Sequence, residues 1–223
     1  MRGAWWVALG VSVAAPLGAS AALPSFGSDM RRVEADVLAA FNFARSQPAA
    51  YLQTLSTYRS YFRADLVRLP GAAVPIQTSE GVVPVDEAIA FFKEQEPVEQ
   101  LQSSLMLRLG AADHLAEQAR TGAVGHYDAD GSDPGDRVTR HGGGSNVAEV
   151  IAYGASDPAD VIRQLIVDDG VPDRGHRVVM MADHLRYAGV ACGPHPRFGT
   201  MCVIDLSDTA DGSFPASDGG AGR

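Results

Sequence analysis

YAGVACGPHPRFGTMCVIDL, residues 187–206, holds two β-capable runs, YAGVAC (187–192) and TMCVIDL (200–206), joined by GPHPRFG. Small, β-branched and apolar residues fill both runs, and Gly and Pro crowd the join, so the stretch reads as a closing hairpin. Working back from it, Asp157-Pro158 starts a helix with Asp as N-cap and Pro in the first position, and Val161, Ile162 and Leu165 face inward. AEVIAYG (148–154) reads as a strand or an extended entry to one, and 128–145 as a loop dense in Gly and Asp. Ser104 N-caps an earlier helix that Gly122 stops, with Leu105, Leu109, Ala112, Ala116 and Ala119 as its buried stripe. Val33, Val37, Phe41 and Ala44 recur at helical spacing up to about Ser46, where Pro48 stops the run.

Between these lies a mixed segment, 49–84, rich in Pro, Gly and Arg. Within it VPIQTSEGVVPV (74–85) predicts a small hairpin about a Glu80-Gly81 turn. A short helix with Val85, Ile89 and Phe92 on one face follows and ends by Pro97. From Thr209 the chain is rich in Asp, Gly and Ser and reads as disordered. No internal repeat is visible.

The 223 residues suit one domain with short extras. With 18 Lys+Arg against 27 Asp+Glu the formal net charge is -9, and no basic stripe is present, which excludes nucleic acid as a partner. Lys93 is the only lysine. At the N-terminus Arg2 precedes the apolar run AWWVALGVSVAAPL (4–17) and the small-residue site Ala19-Ser20-Ala21. That is the layout of a signal peptide over 1–21, followed by a leader over 22–30. The apolar run is too short, and too early interrupted by Pro16, to span a bilayer. The expected mature protein carries no membrane span and is secreted or periplasmic. In such an oxidising compartment Cys192 and Cys202, on the two arms of the closing hairpin, are expected to form a disulfide.

Four segments, in this order, resemble the bacterial type of the CAP (SCP-domain) superfamily of cysteine-rich secretory, antigen 5 and plant pathogenesis-related proteins. They are GHYDADGS (125–132), AEVIAYG (148–154), QLIVDDGVPDRGHR (164–177) and the closing hairpin (187–206). The resemblance takes in the first helix and EGVVPVDEAIAFF as well, and defines a domain over 31–208 with an insertion at about 49–100. It implies an α+β fold, a three-layer α-β-α sandwich around a small, mainly antiparallel sheet. It also implies a cleft with two His and two acids: His126, Glu149, Asp168 and His176. Leu165 stands where the family has a Trp, three residues before Asp168, with Asp169 as the near alternative. Ala148 and Val150 stand where the family has Gly and Asn.

Imidazoles and carboxylates together are ligands for zinc and related divalent ions, magnesium and calcium among them, and are also general acids and bases. The leading reading is an extracytoplasmic binding module, monomeric, whose cleft holds a divalent cation and whose partner is a lipid or sterol or an extracellular protein. The alternatives are a metal- or acid/base-dependent, peptidase-like hydrolase that uses His126, Glu149 and His176 as catalytic groups, and a structural envelope protein. Neither Ser145 nor Ser207 lies in a nucleophile motif, which favours binding. HGGG (141–144) lacks the Gly-x-Ser-x-Gly partner of a lipase oxyanion loop. DADGSDPGD (128–136) has Asp133 where an EF-hand needs Gly. VDDGVPD (167–173) is a weaker cation candidate. His114 reads as a surface or packing residue, and His141, His184 and His195 as loop residues without a role. The signal-peptide reading predicts that exported protein begins at Ala22; N-terminal sequencing that returns Met1 refutes it.

Overall fold

The computed structural model describes residues 26–155 and 157–215. The signal peptide (1–21), the first part of the leader and the tail beyond 215 lie outside the described residues. In chain order the elements are α1 (Phe26–Ser46), α2 (Pro48–Ser60), β1 (Phe62–Arg63), β2 (Leu66–Val67), β3 (Ile76–Gln77), α3 (Val83–Glu94), β4 (Gln102–Ser103), α4 (Leu105–Thr121), α5 (Pro134–Arg140), β5 (Ala148–Tyr153), α6 (Pro158–Val167), α7 (Gly175–Met180), β6 (Tyr187–His195) and β7 (Gly199–Ser207).

The closing hairpin forms as β6 and β7, antiparallel, with β5 on the far side of β7 and β4 parallel to β6 at the other edge; the sheet order is β4-β6-β7-β5. Successive side chains of a strand point to opposite faces, and burial follows that rule. Val150, Ala152, Ile204 and Leu206 enter the larger core with α1, α3 and α6 residues, whereas Ile151, Met201 and Val203 join Ala111 of α4 on the other face. The sheet is therefore the middle of three layers, as the α-β-α reading requires. Gly189 sets the distance between α4 and the sheet, because an added Cβ there would lie 2.0 Å from the Arg108 backbone nitrogen.

Several local expectations are corrected. α1 begins at Phe26, so the last leader positions are helical. Pro48 does not merely stop α1; it sits in the first turn of a second helix, where its missing N–H costs nothing. The hairpin expected over 74–85 is absent. Ile76–Gln77 instead completes a separate three-stranded sheet with β1 and β2, and α3 starts at Val83. The 128–145 loop contains α5, begun by Asp133 as N-cap of a capping box with Asp136. On α4, Ser104 and Gly122 cap as expected, but the buried face is Leu107, Gly110, Ala111, His114 and Gln118, and Leu105 is exposed. Gly110 is required on that face because an added Cβ would lie 2.6 Å from Val138 of α5 and 3.0 Å from the Asp205 carboxyl of β7. Residues 209–215, expected to be disordered, run beside the 143–146 segment: Gly144 and Asn146 N–H donate to the Asp211 and Gly212 carbonyls.

Cys192 and Cys202 oppose each other in the β6–β7 ladder and are joined by a disulfide, with Cα atoms 4.1 Å apart. Because the bridge closes a short loop, replacing both cysteines with alanine is expected to lower stability by about 2–3 kcal/mol. Urea unfolding of the double variant checks this; an unchanged midpoint contradicts it.

Candidate functional site

His126 lies in the loop after α4, and that loop is fastened from beneath. His114, fully buried, donates from Nδ1 to the Asp128 carboxylate at 2.5 Å, and its Nε2, beside the Gly125 carbonyl, accepts from the Gln118 amide at 2.8 Å. Gln118 donates to the same carbonyl at 2.7 Å, and the Tyr153 hydroxyl links Gln118 to the Gly125 N–H. His114 is thus a scaffold residue rather than a surface one, and its carboxylate partner is 14 positions away.

Held this way, His126 turns Nδ1 to Glu149 Oε1 at 2.8 Å. Arg137 of α5 reaches the other oxygen, Oε2, at 2.6 Å. The carboxylate is 1% exposed beneath an imidazole that is 44% exposed, so anything arriving from solvent meets the ring first. Arg137 also donates to the His126 and Ser132 carbonyls, and so ties both ends of the loop to Glu149.

The second pair forms where α6 ends. Asp168 takes a left-handed conformation, φ 62°, which Asp adopts more readily than most residues. Its carboxylate then faces the start of α7, accepting from the His176 N–H at 3.0 Å and from His176 Nδ1 at 2.6 Å. One carboxylate caps the free N-terminus of a short helix and orients the ring it carries. Arg174, also left-handed at φ 53°, turns its guanidinium back into the protein, where it binds both oxygens of Glu80, one of Glu87, and the Asp168 and Val171 carbonyls. Glu80 is held down at about 2, chiefly by Arg174 and then by the Gly170 N–H. Asp169, the near alternative for the fourth site position, accepts from the Ser79 and Glu80 N–H groups instead. The insertion is therefore bolted to the loop that carries His176.

The four expected residues come together as two pairs on adjoining elements, since α7 packs against β5. Among the described residues no group of three or more His, Cys, Asp or Glu side chains is disposed to hold one metal ion. Both oxygens of Glu149 and both of Asp168 are occupied by hydrogen bonds. Each carboxylate is therefore already committed to orienting an imidazole. An ionised carboxylate only accepts, so each Nδ1 donates its proton, and Nε2 is the ring nitrogen left to face a ligand.

Sequence reading missed Asp205. It faces Glu149 directly across β5–β7, in a strand otherwise uncharged, and is fully buried. Neither of its carboxyl oxygens has a partner unless the group is protonated, when it can donate to Glu149. Burial raises its pKa well above 3.8, and the Glu149 charge adds to the rise, against a smaller opposing pull from Arg137. The signal was available: one Asp amid TMCVIDL.

A small antiparallel sheet between helical layers, with an imidazole–carboxylate pair on each of two pinned loops, defines a compact α+β domain with a polar loop site. The chain belongs to the cysteine-rich secretory protein (CAP) family, whose model matches residues 46–206. Among solved structures it is similar to an extracellular protein containing an SCP domain from Bacillus anthracis, at 17% identity and TM-score 0.42, over 49% of this chain and 34% of that one. The match thus spans only about a third of that chain's length. It is also similar to an outer surface protein from Borrelia burgdorferi, at 12% identity and TM-score 0.41, over 56% of this chain and 88% of that one. No curated protein matches it.

A carboxyl whose folded pKa is raised contributes stability that is full below its unfolded value and lost as pH rises through the folded one. Asp205→Asn removes that loss. The variant is expected to gain about 1–3 kcal/mol at pH 7 over the wild type and much less near pH 4. Thermal unfolding at the two pH values checks this; a difference independent of pH refutes it.

Proposed function

We propose that the chain is an exported binding module that offers two carboxylate-oriented imidazoles, His126 and His176, to a divalent cation, zinc above all. The observation that carries this reading is that both oxygens of each carboxylate already accept hydrogen bonds, one of them from an imidazole. Glu149 and Asp168 orient the rings, and the Nε2 atoms do the binding, an arrangement common around zinc-bound histidines. A bound cation would supply a Lewis-acidic positive centre at the cleft surface. The chain's own part is to hold the two rings, fix their tautomers and keep the carboxylates dry.

Binding is favoured over covalent hydrolysis by the surroundings of the rings. Among the described residues neither imidazole hydrogen-bonds a Ser, Thr or Cys side chain. Both cysteines are in the disulfide. A covalent mechanism needs a nucleophile within hydrogen-bond reach of its base. Lipid or an extracellular protein remains the partner class that this reading assigns to the module, and secretion or periplasmic residence its location.

Calorimetric titration with zinc tests the roles of the rings and their carboxylates. His176→Ala is expected to abolish the heat. Asp168→Asn is expected to weaken binding by about 10–100-fold without abolishing it. Equal heats from the wild type and both variants overturn the reading.

A further inference from the structure

The insertion does more than brace the His176 loop. In its three-stranded sheet the register pairs Phe62 with Val67 and Val67 with Ile76, so these three side chains share one face. Phe62 is 8% exposed and Val67 is fully buried, yet Ile76 is 51% exposed. An inward-facing row that begins in the core ends over open space. Beneath Ile76 lies a cavity of about 410 Å³, within the range of small-molecule sites. Tyr58, Phe62, Leu69 and Ile76 make its apolar wall. α6, the end of β5 and the loop after α6 close it from the other side. None of His126, Glu149, Asp168 or His176 lines it.

The polar groups in the far wall are engaged with one another. Arg163 pairs with Asp160 at 2.5 Å and lies 4.2 Å over the Tyr58 ring. Asp169 is held by two backbone N–H groups of the insertion. The Gln164 amide donates to the Tyr153 carbonyl, and the Gln77 amide to Asp65. Two carboxylates against one guanidinium repel an anion. Because both carboxylates already have partners, a cation would have to compete with Arg163 for Asp160 and with two backbone N–H groups for Asp169. A sugar would need several directional hydrogen bonds, and the amides of Gln77 and Gln164 and the Asp169 carboxylate are engaged within the protein. What remains is an apolar surface of one small hydrocarbon body's extent, beside neutral acceptors and hydroxyls.

We propose that this insertion-built cavity binds an uncharged amphiphile, a medium-chain alcohol or acylglycerol, with its hydrocarbon body against Phe62, Leu69 and Ile76 and its hydroxyl end toward α6. The site goes beyond the cation reading, since it uses neither imidazole, and it gives the lipid-partner expectation a place and a chemistry.

The experiment uses three probes of one chain length, each below its aggregation concentration: 1-decanol, decanoate and decyltrimethylammonium. Calorimetry on the mature protein is expected to show one decanol per chain, bound at least tenfold more tightly than either charged probe. Ile76→Asp places a charge in the apolar wall at a half-exposed position that tolerates it, and is expected to weaken decanol at least tenfold. Ile76→Thr keeps the β-branch and gives an intermediate loss if the aspartate variant does not fold. Leu105→Asp, at an equally exposed leucine outside the cavity, is expected to bind decanol as the wild type does. Equal affinity for all three probes, a preference for either charged one, unaltered binding in both Ile76 variants, or loss in Leu105→Asp each overturns the proposal. Zinc heats taken on the same samples report the imidazole pair separately, so failure of one site is distinguishable from failure of the other.

Discussion

The guanidinium of Arg45 holds the end of the molecule on which the rest is assembled. It leaves the last turn of α1 fully buried and donates to four backbone carbonyls: Glu99 at 2.9 Å, Met180 at 2.6 Å, Ala182 at 3.0 Å and Leu185 at 3.0 Å. Those carbonyls belong to the segment entering β4, to the end of α7 and to its connection to β6. A charge so placed is costly to bury, and burial brings its pKa down to about 10, still ionised at neutral pH. Its ligands are carbonyl dipoles rather than a carboxylate, so loops of irregular backbone gain the hydrogen-bond partners that a helix or sheet would otherwise supply. Truncating it would orphan four acceptors at once.

The same device recurs at each loop of the candidate site. Arg137 gathers the His126 loop and Glu149, Arg174 joins the insertion to the turn after α6, and Arg177 donates to the Ile166, Val167 and Pro84 carbonyls. Each is nearly or wholly buried. A planar fork with five donors can serve several carbonyls in fixed directions, which a lysine ammonium on its flexible stem cannot. A chain with a single lysine, Lys93, has built its loops on arginine.

Much of this fold was legible where the signal is local. Ser104, Gly122 and the Asp157-Pro158 start mark helix ends through contacts within one turn, and the closing hairpin declares itself by composition. The missed helices carry the same kind of signal in weaker surroundings. Asp133-Pro134 is a second Asp-Pro helix start, obscured by its resemblance to a failed calcium loop, and Pro48 reads as a stop or as a start with equal ease. His114 and Asp205 were opaque for another reason. Their partners, Asp128 and Glu149, are brought up by tertiary packing, and no periodicity encodes it. The site was readable as four residue types in family order, but their division into two ring-and-carboxylate pairs depends on which oxygen faces which donor, and that is a property of the assembled loops.

The facing carboxyls of Glu149 and Asp205 also alter what the molecule is as an ion. The formal charge of -9 counts every acid as dissociated. With Asp205 protonated the folded chain is one unit less negative, wherever the solution lies between the ordinary aspartate value and the raised one. Unfolding in that interval releases a proton to the buffer. The heat absorbed on unfolding then contains the buffer's own enthalpy of ionisation, so phosphate and Tris would give different apparent enthalpies for one and the same transition.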